Sequence, residues 1–179
     1  LIKTLTASTS ATLDFLNGTS SVVFDGTYPI YKFVYTSIHP ATNNTDFSFQ
    51  VDTGTNTSYN QTITSSCFEA YHNESDNDTT LGYSAAGDLA GATDFQPLLR
   101  GIGDGNDESG SGQLFIYSPS GSTFVKHFMA SGNLYLHNDY SRIMYVTGFV
   151  NTATALTRVR FKFSSGNIDS GTIKMYGIK

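Results

Sequence analysis

The chain has one cysteine, four prolines and no tryptophan in 179 residues. A single cysteine, Cys67, excludes an internal disulfide framework, so packing and hydrogen bonds must hold the fold. It sits in the apolar stretch TITSSCFEAY, which suits a small buried hydrophobe better than a nucleophile. Charge is scarce: aspartate, glutamate, lysine and arginine make 14% of the chain. Alanine, leucine, glutamate, lysine and glutamine, the residues of long helices, are thin. No apolar run reaches the ~18 residues of a membrane-crossing helix. The first residue is Leu1 with no signal-like segment before it, so the chain reads as processed or cut from a longer one.

What fills the sequence is Gly, Ser, Thr and Asn with 11 tyrosines and 13 phenylalanines. Aromatic and β-branched residues favour strands. The length suits a single domain over residues 1–179 that buries a sizeable core without staples. Val159, Phe161 and Phe163 alternate with Arg158, Arg160 and Lys162, the period of a half-buried strand. Ser164-Ser165-Gly166-Asn167 then supplies turn chemistry. A second strand follows, with Ile173 and Met175 on one side and Lys174 and Tyr176 on the other. Both are expected in one antiparallel sheet packed on a second, with the aromatic half dry and the cationic half facing water or an acidic partner.

Similar runs recur from the start. Ile2–Thr6, Ala11–Leu16 (closed by Asn17-Gly18), Val22–Phe24, the aromatic IYKFVYTSIHP and FSFQV read as strands. TITSSCFEAYH leans to strand over short helix. DFQPLL allows a short helical turn, while Gly82, Gly87 and Gly91 argue against a longer helix. Gln113–Ser118 and Thr123–Ala130 flank Pro119-Ser120-Gly121-Ser122 as a hairpin. Leu134–His137, Arg142–Val150, Leu156–Phe163 and Thr172–Ile178 complete the set. The spacing points to an all-β antiparallel β-sandwich, jelly-roll-like.

No motif carries an obvious chemistry. His39, His72, His127 and His137 form no close pair that would mark a zinc site. Calcium could take oxygens from Asp76 and Asp78, or from Asp104, Asn106, Asp107 and Glu108, but neither loop has EF-hand spacing, and a solvated loop is the simpler reading. There is no G-x-S-x-G elbow and no phosphate loop, and the acidic residues show no pairing of the kind a glycosidase needs. An enzyme is not expected. Residues 158–179 carry 5 basic and 1 acidic side chains, against 5 and 14 in the rest. A cationic stripe on an acidic domain lacks the field that nucleic acid requires. Six Asn-x-Ser/Thr sequons, from Asn17 to Asn77, would carry glycans only in a secreted eukaryotic protein. Tyr28, Tyr59, Tyr83 and Tyr140 stand beside turns and are the candidate sugar-stacking residues.

The segments TITSSCFEAYHNESDNDTTLGY, GQLFIYSPSGSTFVKHFMA and FKFSSGNIDSGTIKMYGIK, spanning roughly residues 60–178, resemble virion structural proteins of marine tailed bacteriophages. The VKHF strand and the SGN-I-x-SGTIKMYGI ending carry the resemblance most strongly. It implies a jelly-roll-like sandwich on the virion surface, a tail-fibre or capsid-decoration component working in adhesion or assembly. Its partners would be copies of itself, by analogy a trimer, other virion proteins and a host-surface glycan. A carbohydrate-binding module of a secreted enzyme and a glycan depolymerase are the alternatives.

Overall fold

A computed structural model describes residues 1–179. It contains thirteen strands and no helix: β1 (Lys3–Thr6), β2 (Leu13–Leu16), β3 (Ile30–Pro40), β4 (Thr45–Thr53), β5 (Ile63–Asn73), β6 (Thr79–Tyr83), β7 (Ala90–Ala92), β8 (Gln96–Ile102), β9 (Gly110–Tyr117), β10 (Lys126–Leu136), β11 (Tyr140–Val150), β12 (Leu156–Phe163) and β13 (Ile168–Ile178). No helix is long and apolar enough to cross a membrane.

All pairings are antiparallel. The larger sheet runs β1-β13-β3-β9-β10-β11-β5, with β6 and β7 side by side along the far edge of β5. The smaller runs β8-β4-β12-β2. A single pairing, Leu136 with Ile102, joins the sheets where β8 takes the place of β9 beside β10. The result is an all-β, sandwich-like fold that is nearly closed as a barrel.

The core lies between the sheets, and alternation explains which side chains fill it. Tyr31, Phe33 and Tyr35 of β3, Phe47, Phe49 and Val51 of β4, and Val159, Phe161 and Phe163 of β12 are all buried. Phe161 sits at the centre, with Phe33 of the opposite sheet at 5.5 Å, Phe47 stacked at 5.8 Å and Phe15 edge-on at 6.1 Å. Burying one such ring contributes about 2–3 kcal/mol, so this cluster is a main source of inter-sheet cohesion. The aromatic half of the terminal ribbon is dry, as its period requires.

Several expectations are corrected. β12 and β13 fall in opposite sheets, because β12 pairs with β4 and β2 while β13 pairs with β3 and β1. The turn at Ser164–Asn167, with Gly166 at φ +69°, is therefore a corner between layers and not a hairpin. The Val22–Phe24 segment forms no strand, although Val22 and Phe24 are buried as loop residues. DFQPLL enters strand β8 instead of a helical turn, Pro97 being tolerated where the β4 register shifts. Thr123–Ala130 and Leu134–His137 are replaced by one continuous β10. Ser131-Gly132-Asn133 looks like a turn, but Gly132 is a tight-packing point: a Cβ there would stand 2.7 Å from Leu99 and 3.1 Å from the Tyr35 hydroxyl.

The outer face of the smaller sheet is covered by loops. Gln50 and Asp52 are wholly buried beneath them. Gln50 Nε2 donates to the carbonyls of Gln61 and Asp94, both at 2.9 Å. Asp52 accepts from Tyr59 N (2.8 Å), Asn56 Nδ2 (2.8 Å) and Gln61 Nε2 (3.0 Å). The cationic half of β12 is thus only half wet. Its acidic partner is in the same chain, Asp14 on β2, which pairs with Arg160.

Candidate functional site

The four tyrosines singled out by sequence come to four separate places. Tyr28 packs edge-on against Tyr31 at 5.9 Å and lies over Gly177. Tyr59 is buried under the Arg160 guanidinium, 3.9 Å from its ring centre. Tyr83 is exposed on β6 with its hydroxyl donated to Asp88. Tyr59 also edges an open cleft with Phe95, Arg160 and Lys162, while Tyr140 joins Tyr71, Asp78 and Arg142 at another.

That cleft is at one end of the β5–β11 ladder, where two turns meet. The β5–β6 turn is built by Asn73, whose Oδ1 accepts the N–H groups of Asn77 and Asp78, both at 3.1 Å. Asp76 takes a positive φ there, which short polar side chains tolerate. The β10–β11 turn closes by Asp139 N donating to Leu136 O at 3.1 Å, again with positive φ at Asp139. Glu74 N donates to Asp139 O at 3.1 Å and ties the turns together.

The tip offers a cleft on each face of the ladder. On the outer side, a cleft of about 320 Å³ is lined by His72, Asn73, Glu74, Asn133, Leu134, Tyr135 and Ser141. On the inner side, one of about 190 Å³ is lined by Tyr71, Asp78, Leu136, Asn138, Tyr140 and Arg142. Tyr71 and Tyr140 meet edge to face at 5.5 Å, and Arg142 lies 5.8 Å over the Tyr71 ring.

Hydroxyls and carboxylates are matched. Tyr135 donates to Glu74 at 2.9 Å with Asp139 at 3.4 Å, and Tyr140 donates to Asp78 at 3.0 Å. The hydrogen bond to Glu74 pushes the Tyr135 phenol up to about 12, and the one to Asp78 raises that of Tyr140. Beneath the tip, Arg142 pairs with Glu69 at 3.1 Å, yet Arg142 Nε and Glu69 Oε2 are buried without a partner. Four carboxylates, Glu74, Asp76, Asp78 and Asp139, make the tip rich in acceptors. It suits neutral molecules with many hydroxyl donors and disfavours phosphate polymers.

Of the suggested calcium ligands, Asp107 and Glu108 line a different, wholly polar cleft with His39 and Asp169, and Asp104 does not. Glu108 turns back to accept the N–H of Gly105. No three His, Cys, Asp or Glu side chains come together as a set able to hold a metal ion. Sequence reasoning missed Tyr71, Tyr135, Glu74 and Asn133. Tyr71 and Tyr135 sit within strands, not beside turns, and only the strand pairing brings their ends to one place.

No family model matches the chain, and no curated protein or solved structure matches it.

Proposed function

We propose that the chain is a binding protein without turnover, a virion structural component of tail-fibre or capsid-decoration type that holds a neutral host-surface glycan at the tyrosine–carboxylate tip. The observation that carries the glycan reading is the meeting of Tyr71, Tyr135 and Tyr140 with Asn and carboxylate groups around two open clefts. Tyrosine rings supply apolar faces for sugar C–H groups, while Glu74, Asp78 and Asn133 supply acceptors and donors for hydroxyls. Single sites of this kind are weak, and copies arrayed on a particle would multiply them. The virion assignment rests on the resemblance of the VKHF and SGTIKMYGI segments to phage particle proteins.

The test is calorimetric titration with neutral oligosaccharides from candidate hosts, after screening on a glycan array. Tyr135→Ala and Asn133→Ala should each weaken binding about tenfold, the scale of one stacking or hydrogen-bonded contact. Absence of binding across the array at high protein concentration ends the glycan reading. Antibody labelling of intact particles separates tail from capsid, and separates both from a free carbohydrate-binding module.

One observation favours a second reading. Glu74 and Asp139 converge on the same Tyr135 hydroxyl, and two close carboxylates are what glycoside hydrolysis uses. Shortened polysaccharide chains after incubation, abolished by Glu74→Gln, would favour a depolymerase.

A further inference from the structure

The outer face of the larger sheet carries a feature that the tip does not use. One cross-strand row runs Tyr83 on β6, Phe68 on β5, Tyr145 on β11, Ser131 on β10 and Gln113 on β9. Phe68 and Tyr145 stack with centres 4.9 Å apart and planes 11° from parallel. Rings stacked across a ladder stand upright on the sheet and turn edges outward. They form a ridge that packs into another surface, and not the flat platform on which a sugar ring lies.

Neighbouring rows extend the ridge. Leu81 is 75% exposed and Tyr83 63%, with Phe68 and Met129 near half. With Tyr145 these are five of the eight large hydrophobic side chains that the molecule exposes. Together they present on the order of 500 Å², well above scattered surface apolarity and in the range that marks interaction sites. No aspartate, glutamate, lysine or arginine stands at the outward positions of β6, β5, β11, β10 or β9.

We propose that this face seats on the same face of a second copy of the chain, about a twofold axis. Charge selects that occupant. Further along the same sheet stand Lys32 and Lys174; the smaller sheet carries Lys162 and Arg100; the connecting turns are acidic. Pressing any of these against the ridge strips water from a charge that the ridge cannot pair. The ridge facing itself brings in only the Asp88 carboxylate, which the Tyr83 hydroxyl already pairs, although each chain carries a net charge of −5. Area agrees: an apolar centre of this size, with its Ser, Thr and Asn rim, approaches the roughly 800 Å² per partner of a standard interface. The far edge of β6, exposed at every residue and paired only on its β5 side, is the kind of open edge that association covers.

Sedimentation across a concentration series tests the proposal. At about 100 μM the chain should sediment at twice its 19.4 kDa mass. The double variant Phe68→Ser with Tyr145→Ser should raise the dissociation constant at least ~30-fold, as loss of a central aromatic pair does. Ser66→Lys, at an exposed position on the same face, keeps every apolar contact within the chain and should also separate the copies, by placing like charges across the axis. Far-UV circular dichroism verifies that each variant is folded, and Ser66→Lys decides if the double variant is not. A single-chain mass at about 100 μM, a threefold mass, or a dimer that survives the folded variants overturns the proposal. Glycan affinity per chain stays unchanged in the variants, so failure of the tip and failure of the interface are read separately.

Discussion

Arg160 grips Asp14 with two hydrogen bonds, 2.8 Å from Nε to Oδ1 and 2.6 Å from Nη2 to Oδ2, while its guanidinium carbon lies 3.9 Å over the Tyr59 ring. The pair links β12 to the edge strand β2, and both side chains are mostly shielded from water. Asp14→Ala should lower the free energy of unfolding by about 1–2 kcal/mol, the scale of a charge-assisted hydrogen-bonded pair at the surface of a core. Arg160→Lys keeps the charge but loses the fork and the stacked plane, and should cost a similar amount. Urea unfolding of both variants checks this; an unchanged midpoint would show that the pair contributes nothing.

Gly112 and Gly82 should behave oppositely although both lie in strands. A Cβ on Gly112 would stand 2.3 Å from the Ser131 carbonyl oxygen and 2.6 Å from Gly132 Cα, so β9 and β10 must part to admit it. Gly112→Ala should destabilise by about 3 kcal/mol. At Gly82, on β6, nothing lies within 4 Å of the place a methyl group would take, and Gly82→Ala should stay within ~0.5 kcal/mol of the parent. Thermal unfolding of the two variants side by side makes the comparison.

Cys67 should resist thiol reagents until the protein unfolds. The side chain is buried, and burial, with a smaller push from Glu69, raises the thiol to about 11. At pH 8 roughly one molecule in a thousand would carry the thiolate. Native protein should therefore label very slowly with a disulfide reagent and quickly in urea. Rapid labelling of the folded chain would contradict the burial of Cys67, whose Sγ lies so close to Gly87 that a Cβ there would stand 2.8 Å from it.

Alkaline pH should weaken the fold through Tyr35. Burial raises its phenol above the ordinary 10.0, so the folded chain keeps a proton that the unfolded chain releases. The stability held by this group is complete below pH 10 and falls as pH climbs beyond it. Lys126 acts with the opposite sign. Its ammonium is buried against the carbonyls of Phe124 and Ala153, and burial lowers its pKa below 10.5. From this group alone stability rises with pH up to 10.5. Tyr35→Phe should make the alkaline limb of denaturant midpoints plotted against pH less steep, on top of a pH-independent drop from losing the hydroxyl's bond to Ser131 O.

The strands with clean alternation were legible, because a side chain's face follows from its parity once one neighbour is apolar. IYKFVYTSIHP became β3 with Tyr31, Phe33 and Tyr35 inward, and β12 behaved likewise. Which strands pair was not legible for the ends of the chain, since a turn and a sheet-to-sheet corner use the same Ser, Gly and Asn residues. Gln50 and Asp52 alternate as outward residues should, and only the loops folded over them reveal that outward does not mean wet. The tip escaped for a related reason: Tyr71 and Tyr135 are 64 positions apart in sequence, and the strand ends that carry them come to one tip only through the β5–β11–β10 register.

The pairing order has a consequence for how the molecule is made. β1 and β3 take β13 as a neighbour, while β2 and β4 take β12. A ribosome has to release residues 156–178 before the earliest strands find those mates, so neither wall can be finished until they emerge. Until then Phe15, Phe33 and Phe47 have no ring from β12 to rest against. Such long-range closure makes folding slow and leaves the nascent chain sticky, and the last two strands act as the stitch that ends that exposure.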